Sequence, residues 1–198
     1  MHPYSIDVKR NKIIFYCAIL AIVLATSVSH WLSDIPYIHI VIPVTSLTIF
    51  LLVMRVMEHM FWKSPFLRKM GAIRTPIIQG VWVGFITNEQ TGEQQPVEMR
   101  VKQSWMNMQV TWLVGEREWK STVAAFQLSG PLGTLFQSTY SVFDVREQMP
   151  VLLFDGSIRL IVHDDHLRGV WFMHRSDAVE SGTMEVHPVK DPTVTVSN

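Results

Sequence analysis

Two long apolar runs open the chain. Residues 13–32 read IIFYCAILAIVLATSVSHWL and residues 37–54 read YIHIVIPVTSLTIFLLVM, neither with a charged side chain. At 1.5 Å per residue, twenty helical residues span about 30 Å, the hydrocarbon thickness of a bilayer. Only Ser33, Asp34, Ile35 and Pro36 separate the runs, so the two predicted spans run antiparallel as a helical hairpin. A cleavable signal peptide competes for the first run, but that stretch is longer than the usual apolar core of about 7–15 residues. Trp31-Leu32 is also a poor cleavage context.

From Ile77 onward the pattern changes to short runs of period two, and no helix of ten or more residues is convincing. Eight strands are predicted at 77–87, 97–104, 106–114, 117–128, 133–143, 150–162, 167–175 and 181–188. Turn chemistry separates them: Thr91-Gly92, Val114-Gly115, Ser129-Gly130-Pro131, Met149-Pro150, Asp164-Asp165 and Ser181-Gly182. The clearest alternation puts Met106, Met108, Val110, Trp112 and Val114 on one face, and Val97, Met99, Val101 and Gln103 on another. The expected fold is a membrane-anchored all-β protein, with an N-terminal two-helix transmembrane hairpin followed by a small eight-stranded antiparallel β-barrel. Closure would remove exposed strand edges. An eight-stranded interior holds side chains or one small ligand. The expected segments are 1–57 for the two helices, 58–76 for a basic linker, 77–188 for the barrel and 189–198 for a flexible tail.

Charge orients this arrangement. Lys9, Arg10 and Lys12 precede the first run, Arg55, Lys63, Arg68 and Lys69 follow the second, and the connection carries only Asp34. The excess of Lys and Arg on both outer flanks places the N and C termini in the cytoplasm. Net charge is zero over 198 residues, but the basic excess lies in residues 1–75 and the remainder is acidic. An acidic barrel is a poor binder of DNA or RNA, which takes many Lys and Arg contacts to phosphate. The single cysteine, Cys17, excludes a disulfide framework and reads as a small apolar residue of the first helix.

No paired nucleophile and base, phosphate-binding glycine loop or metal-protease motif is present. The run His163-Asp164-Asp165-His166 reads as a solvated turn rather than a metal site, because consecutive residues of a tight turn diverge. Gln103, Trp105, Tyr140 and Trp171 stand out as polar or aromatic residues at inward-phase positions. Gly169, Trp171 and Arg175 share one face of one strand. An Arg beside a buried Trp needs an anionic partner, either a neighbouring carboxylate or a bound phosphate. Aromatic rings with one guanidinium suit a nucleotide.

GVWVGFI (80–86), VKQSWMNMQVTW (101–112), LFQSTYSV (135–142) and LRGVWFMHRSDAVESGTMEV (167–186), following two spans with a tight connection, resemble the two-transmembrane β-barrel effectors of bacterial CBASS anti-phage defence. The resemblance covers nearly the whole chain. It implies a non-enzymatic sensor without cofactor or metal, whose barrel binds a cyclic dinucleotide made by a partner nucleotidyltransferase. It further implies homo-oligomerisation in the bacterial inner membrane and disruption of that bilayer, which kills the infected cell. On this reading Arg175 contacts phosphate, Trp105, Tyr140 and Trp171 contact bases, and Gln103 and Thr183 form hydrogen bonds. The alternative is a membrane-anchored scaffold or assembly protein whose barrel core is filled and takes no nucleotide.

Overall fold

The computed structural model describes residues 1–6, 10–31, 38–115, 117–146, 149–175 and 178–189. Within them it describes backbone alone at 2, 5, 29, 38–45, 117, 142–146, 149–153 and 175. The chain divides into two compact units, one of Val8–Thr75 and one that joins Met1–Asp7 to Pro76–Asn198.

The helical unit holds α1 (Asn11–Trp31) and α2 (Ile38–His59), which contact one another. A single 3-10 turn at Phe61–Lys63 and a short α3 (Pro65–Lys69) follow. Cys17, Ala21 and Ala25 recur every four residues and are buried, whereas Phe15, Ile19, Leu20, Val23 and Leu24 are exposed. Small residues on one face let two helices approach closely. The window Asn11–Val28 is long and apolar enough to cross a membrane. The sequence between the two helices, including Asp34, and the tail from residue 190 onward lie outside the described residues.

The second unit is a closed antiparallel meander of eight strands. They are β3 (Gly80–Asn88), β4 (Gln94–Gln103), β5 (Asn107–Val114), β6 (Arg117–Gly130), β7 (Gly133–Arg146), β8 (Met149–Val162), β9 (Leu167–Arg175) and β10 (Ala178–Pro188). Each pairs with the next, and β10 returns to β3 through Gly182↔Asn88 to Pro188↔Trp82. The expected alternation holds except at Met106, which precedes β5 in a turn and is half-buried. Val97, Met99, Val101 and Gln103 are buried on β4, and Met108, Val110, Trp112 and Val114 on β5.

One seam is incomplete. β5 and β6 pair only over Thr111↔Lys120 to Val114↔Arg117. At the next residue the Val110 N–H donates instead to the Ser121 hydroxyl (2.9 Å), and β6 carries a register shift between Ser121 and Val123. Beyond that point the strands part, and an N-terminal arm closes the gap. β1 (His2–Pro3) pairs with β5 at Met108 and Asn107, and β2 (Ser5–Ile6) pairs in parallel with β6 at Ala125 and Phe126. Tyr4, between them, is buried in the core with its ring edge-on to Phe126 (5.8 Å). Sequence periodicity did not foresee this arm, because two-residue strands carry no period.

The arm fixes the polarity of the barrel. It runs parallel to β6, so the chain leaves after Ile6 at the end that carries the 104–106, 131–132 and 163–166 turns. It returns at Pro76 at that same end. The opposite end is bounded by the β3–β4 and β5–β6 turns.

Large aromatics fill the interior across inward glycines. Tyr140 lies opposite Gly156 in register, and its hydroxyl crosses β8 to donate to the Phe172 carbonyl (3.4 Å). Trp171 lies opposite Gly182, and its indole N–H crosses β10 to the Thr87 carbonyl (3.3 Å). A Cβ at Gly156 would sit 2.5 Å from the Tyr140 hydroxyl. Large side chains set against small ones are how a narrow barrel packs its taper.

Candidate functional site

The barrel is packed solid through its middle. Met99, Met108, Trp112, Phe136, Ile158, Leu160, Leu167 and Met184 have at most about one per cent of their surface exposed. The expected lumen for a small guest is therefore filled by side chains along most of its length. It opens at the end opposite the chain exits, in a mouth of about 460 Å³. The inward phase of three strands builds its floor: Ile86 from β3, Trp119 from β6, and Trp171 and Met173 from β9. Asn88, Glu93, Gln95 and Glu180 form the rim. Trp119 stacks on Tyr140 (5.0 Å, 12° between planes) and meets Phe154 edge-on (5.5 Å).

Polar chemistry at this end is specific. The indole N–H groups of Trp119 and of Trp112, its cross-strand partner, are buried without an acceptor among the described residues, as is the Ser138 hydroxyl. An unmet buried donor costs about 1–3 kcal/mol, so these positions favour an acceptor brought close to them. Burial raises the Tyr140 phenol above its ordinary range, and the negative charges of Asp155 and Glu180 raise it further. Tyr140 is thus a protonated donor at every physiological pH. The charged groups among the described lining residues are Glu93 and Glu180. Arg117 and Arg175 occupy strand ends at this mouth, opposite Val114 and Phe154 respectively, and their side chains lie outside the described residues.

The six residues singled out in the sequence do not converge. Tyr140 and Trp171 lie in the interior at the mouth end, and the backbone of Arg175 ends the strand that carries Trp171. Gln103 sits at the other end, where it ties the incoming chain to β4. Its side-chain oxygen accepts the Ile78 N–H (3.0 Å) and its amide donates to the Pro76 carbonyl (2.8 Å). Trp105 is buried in the β4–β5 turn at that same end. Thr183 faces outward, in a shallow groove of about 960 Å³ on the outer wall with Val83, Phe85, Glu98 and His187. That groove is larger than the mouth but open along its length, and it lacks the mouth's recessed aromatic floor.

Gln103 therefore has a measurable structural duty. Gln103→Ala leaves a buried N–H and a part-buried carbonyl without partners and is expected to lower barrel stability by about 1–3 kcal/mol. The check is the urea midpoint followed by tryptophan fluorescence, and an unchanged midpoint would show that water replaces both contacts without loss.

The His163–His166 turn is solvated, as expected. His163 stacks on His166 (4.4 Å), and the Asp165 carboxylate lies 2.7 Å from His166. The hydrogen bond with His166 holds that carboxyl below its usual range. Among the described residues no cluster of side chains is placed to hold a metal ion. The mouth rim was not legible beforehand, because Glu93 and Glu180 carry no motif and gain meaning only when two hairpin ends meet. No protein-family model matches the chain, and no curated protein matches it.

Proposed function

We propose that this chain is a membrane-anchored sensor, in which α1 and α2 form a transmembrane hairpin and the barrel binds a cyclic dinucleotide at its mouth. Binding then assembles copies of the chain in a bacterial inner membrane and disrupts the bilayer, as in the CBASS effectors its sequence resembles. The chain is an effector rather than an enzyme in this reading, and its ligand comes from a partner nucleotidyltransferase. The observation that carries the proposal is the single aromatic mouth at the barrel end remote from the chain exits. A guest there rests on Trp119 and Trp171, finds an unclaimed indole donor, and has Arg175 on the adjoining strand end as its phosphate partner. The positive-inside flanks keep both termini and the barrel in the cytoplasm, where such a nucleotide is made.

Glu93 and Glu180 on the rim repel phosphate and weaken the hold on the anionic part of the guest. Base contacts then supply most of the affinity, at about 1–3 kcal/mol per stacked base. Titration of the full chain in detergent with a panel of cyclic dinucleotides is the direct test. Saturable binding to at least one is expected, and Trp171→Ala should weaken it tenfold or more. A folded protein that binds none of them would remove the sensing role.

The filled interior favours one other reading, a scaffold that holds a partner protein at the membrane. The same titration separates the two, because a scaffold shows no saturable nucleotide binding.

A further inference from the structure

The mouth and the N-terminal arm act on the same pair of strands. At one end β5 and β6 are zipped for four residues, with Trp112 directly opposite Trp119. Trp119 is also part of the mouth floor. At the other end the two strands are held apart by the arm. The change-over is marked by the Ser121 hydroxyl, which takes the Val110 N–H where a ladder carbonyl would otherwise stand. The seam is a fork, with its closed end under the mouth and its open end filled by residues 2–6.

The arm is also the least secured strand of the barrel. β1 and β2 each pair over two residues, against seven to twelve for most of the interstrand pairings. Pro3 has no N–H to give. Besides these pairings, the arm is held by one buried ring, Tyr4, and by a backbone bond from the Tyr4 N–H to the Met106 carbonyl (3.3 Å). Segments with so few ladder bonds open locally far more often than the sheet around them. The chain runs on from this arm to α1, which begins at Asn11.

We infer that the N-terminal arm is a displaceable closing strand, seated or released according to how β5 and β6 are zipped beneath the mouth, and that it relays mouth occupancy to α1. The inference rests on the proposed ligand reading only for what occupies the mouth. The coupling itself follows from the fork. Moving the Trp119 ring shifts β6 against β5 at the closed end, and the gap that seats Tyr4 changes at the open end.

Hydrogen exchange followed by mass spectrometry on the full chain in detergent tests the coupling without any ligand. Trp119→Ala is expected to speed exchange in the peptide spanning residues 1–6 at least tenfold, with the β10–β3 pairing unchanged. Trp171→Ala removes an equally large ring from the mouth, but from β9, which pairs with neither fork strand, and should leave the arm's exchange as it was. Ser121→Ala, at the branch point, should act in the same direction as Trp119→Ala. An arm that exchanges equally in all variants overturns the inference. So does acceleration by Trp119→Ala and Trp171→Ala alike, since that reports general loosening.

A second arm of the experiment adds cyclic di-GMP, cyclic di-AMP and cyclic GMP-AMP in turn. A change confined to the mouth and the 1–6 peptide supports the relay. Protection at the mouth with an unmoved arm overturns it. No change anywhere with all three counts against the nucleotide reading and leaves the coupling to be decided by the variants.

Discussion

Gly182→Val prevents the barrel from closing. A Cβ at this position would overlap the Thr87 carbonyl oxygen on β3 and lie 2.7 Å from the Trp171 indole nitrogen. Neither neighbour can yield. Thr87 is fixed by its register with Thr183, and Trp171 is packed in the interior with its N–H directed at that same carbonyl. Relief requires β10 to withdraw from β3, the pairing that closes the cylinder, or Trp171 to leave the core. Overpacking of a well-filled core costs about 1–3 kcal/mol where side chains absorb it. Here backbone must move and a buried aromatic loses its site, so a loss above about 4 kcal/mol is expected, a large part of the stability of a small domain. The measurement is soluble yield and the cooperativity of urea unfolding by tryptophan fluorescence. A variant with wild-type midpoint would mean that β10 and β3 are not apposed here. Gly182→Ala should show the same defect in milder form.

Deleting residues 2–6 from the full chain is the second large effect. It removes the buried Tyr4 ring, worth about 2–3 kcal/mol in apolar burial. It also strips the partners from β5 at residues 107 and 108 and from β6 at 125 and 126, and it uncovers Met108 and Phe126, both now in the core. A combined loss of about 3–5 kcal/mol is expected, with Tyr4→Ala alone accounting for about 3 of it. Unfolding midpoints of the two variants and the parent check this. If the deletion costs no more than a surface change, the arm does not belong to the barrel. The same reasoning shows that a fragment beginning at residue 76 is an incomplete domain, although the period-two pattern starts at Ile77.

The barrel strands were legible because side-chain phase and turn chemistry agree. From Val97 to Val114 the inward positions of β4 and β5 are apolar apart from Gln103, and Gly92, Gly115, Pro131 and the Asp164-Asp165 pair mark four of the breaks; Met149-Pro150 and Ser181-Gly182, expected as turns, lie inside β8 and β10 instead. Phase became ambiguous where glycine stands inward. At Gly182 the core position carries no hydrophobic mark, and Thr183, a ligand contact only by the resemblance, faces out. Trp105 misled for a related reason. It keeps the inward parity of Val101 and Gln103, yet the strand has ended by Ser104, whose N–H bonds to the Asn107 carbonyl across the turn. Its burial therefore belongs to the turn and not to the wall. Aromatic residues facing glycines across a strand pair, as Tyr140 and Trp171 do, were visible in the sequence as single letters. Their meaning depends on register, which no single strand reveals. The arm left only Tyr4 and Ile6, two isolated apolar residues ahead of Asp7.

The seam seated by residues 2–6 sets an order of assembly. These residues are synthesised before the barrel strands, yet the strands that hold them are complete only after Phe126 has been made. For all that interval the leading segment has no place to bind, while both hydrophobic helices are made and must find their own environment. Synthesis of both helices therefore precedes the final stitch, and the arm waits as a loose thread until the cylinder it completes exists. A bulky tag fused directly to Met1 would burden that last step more than one carried after residue 189.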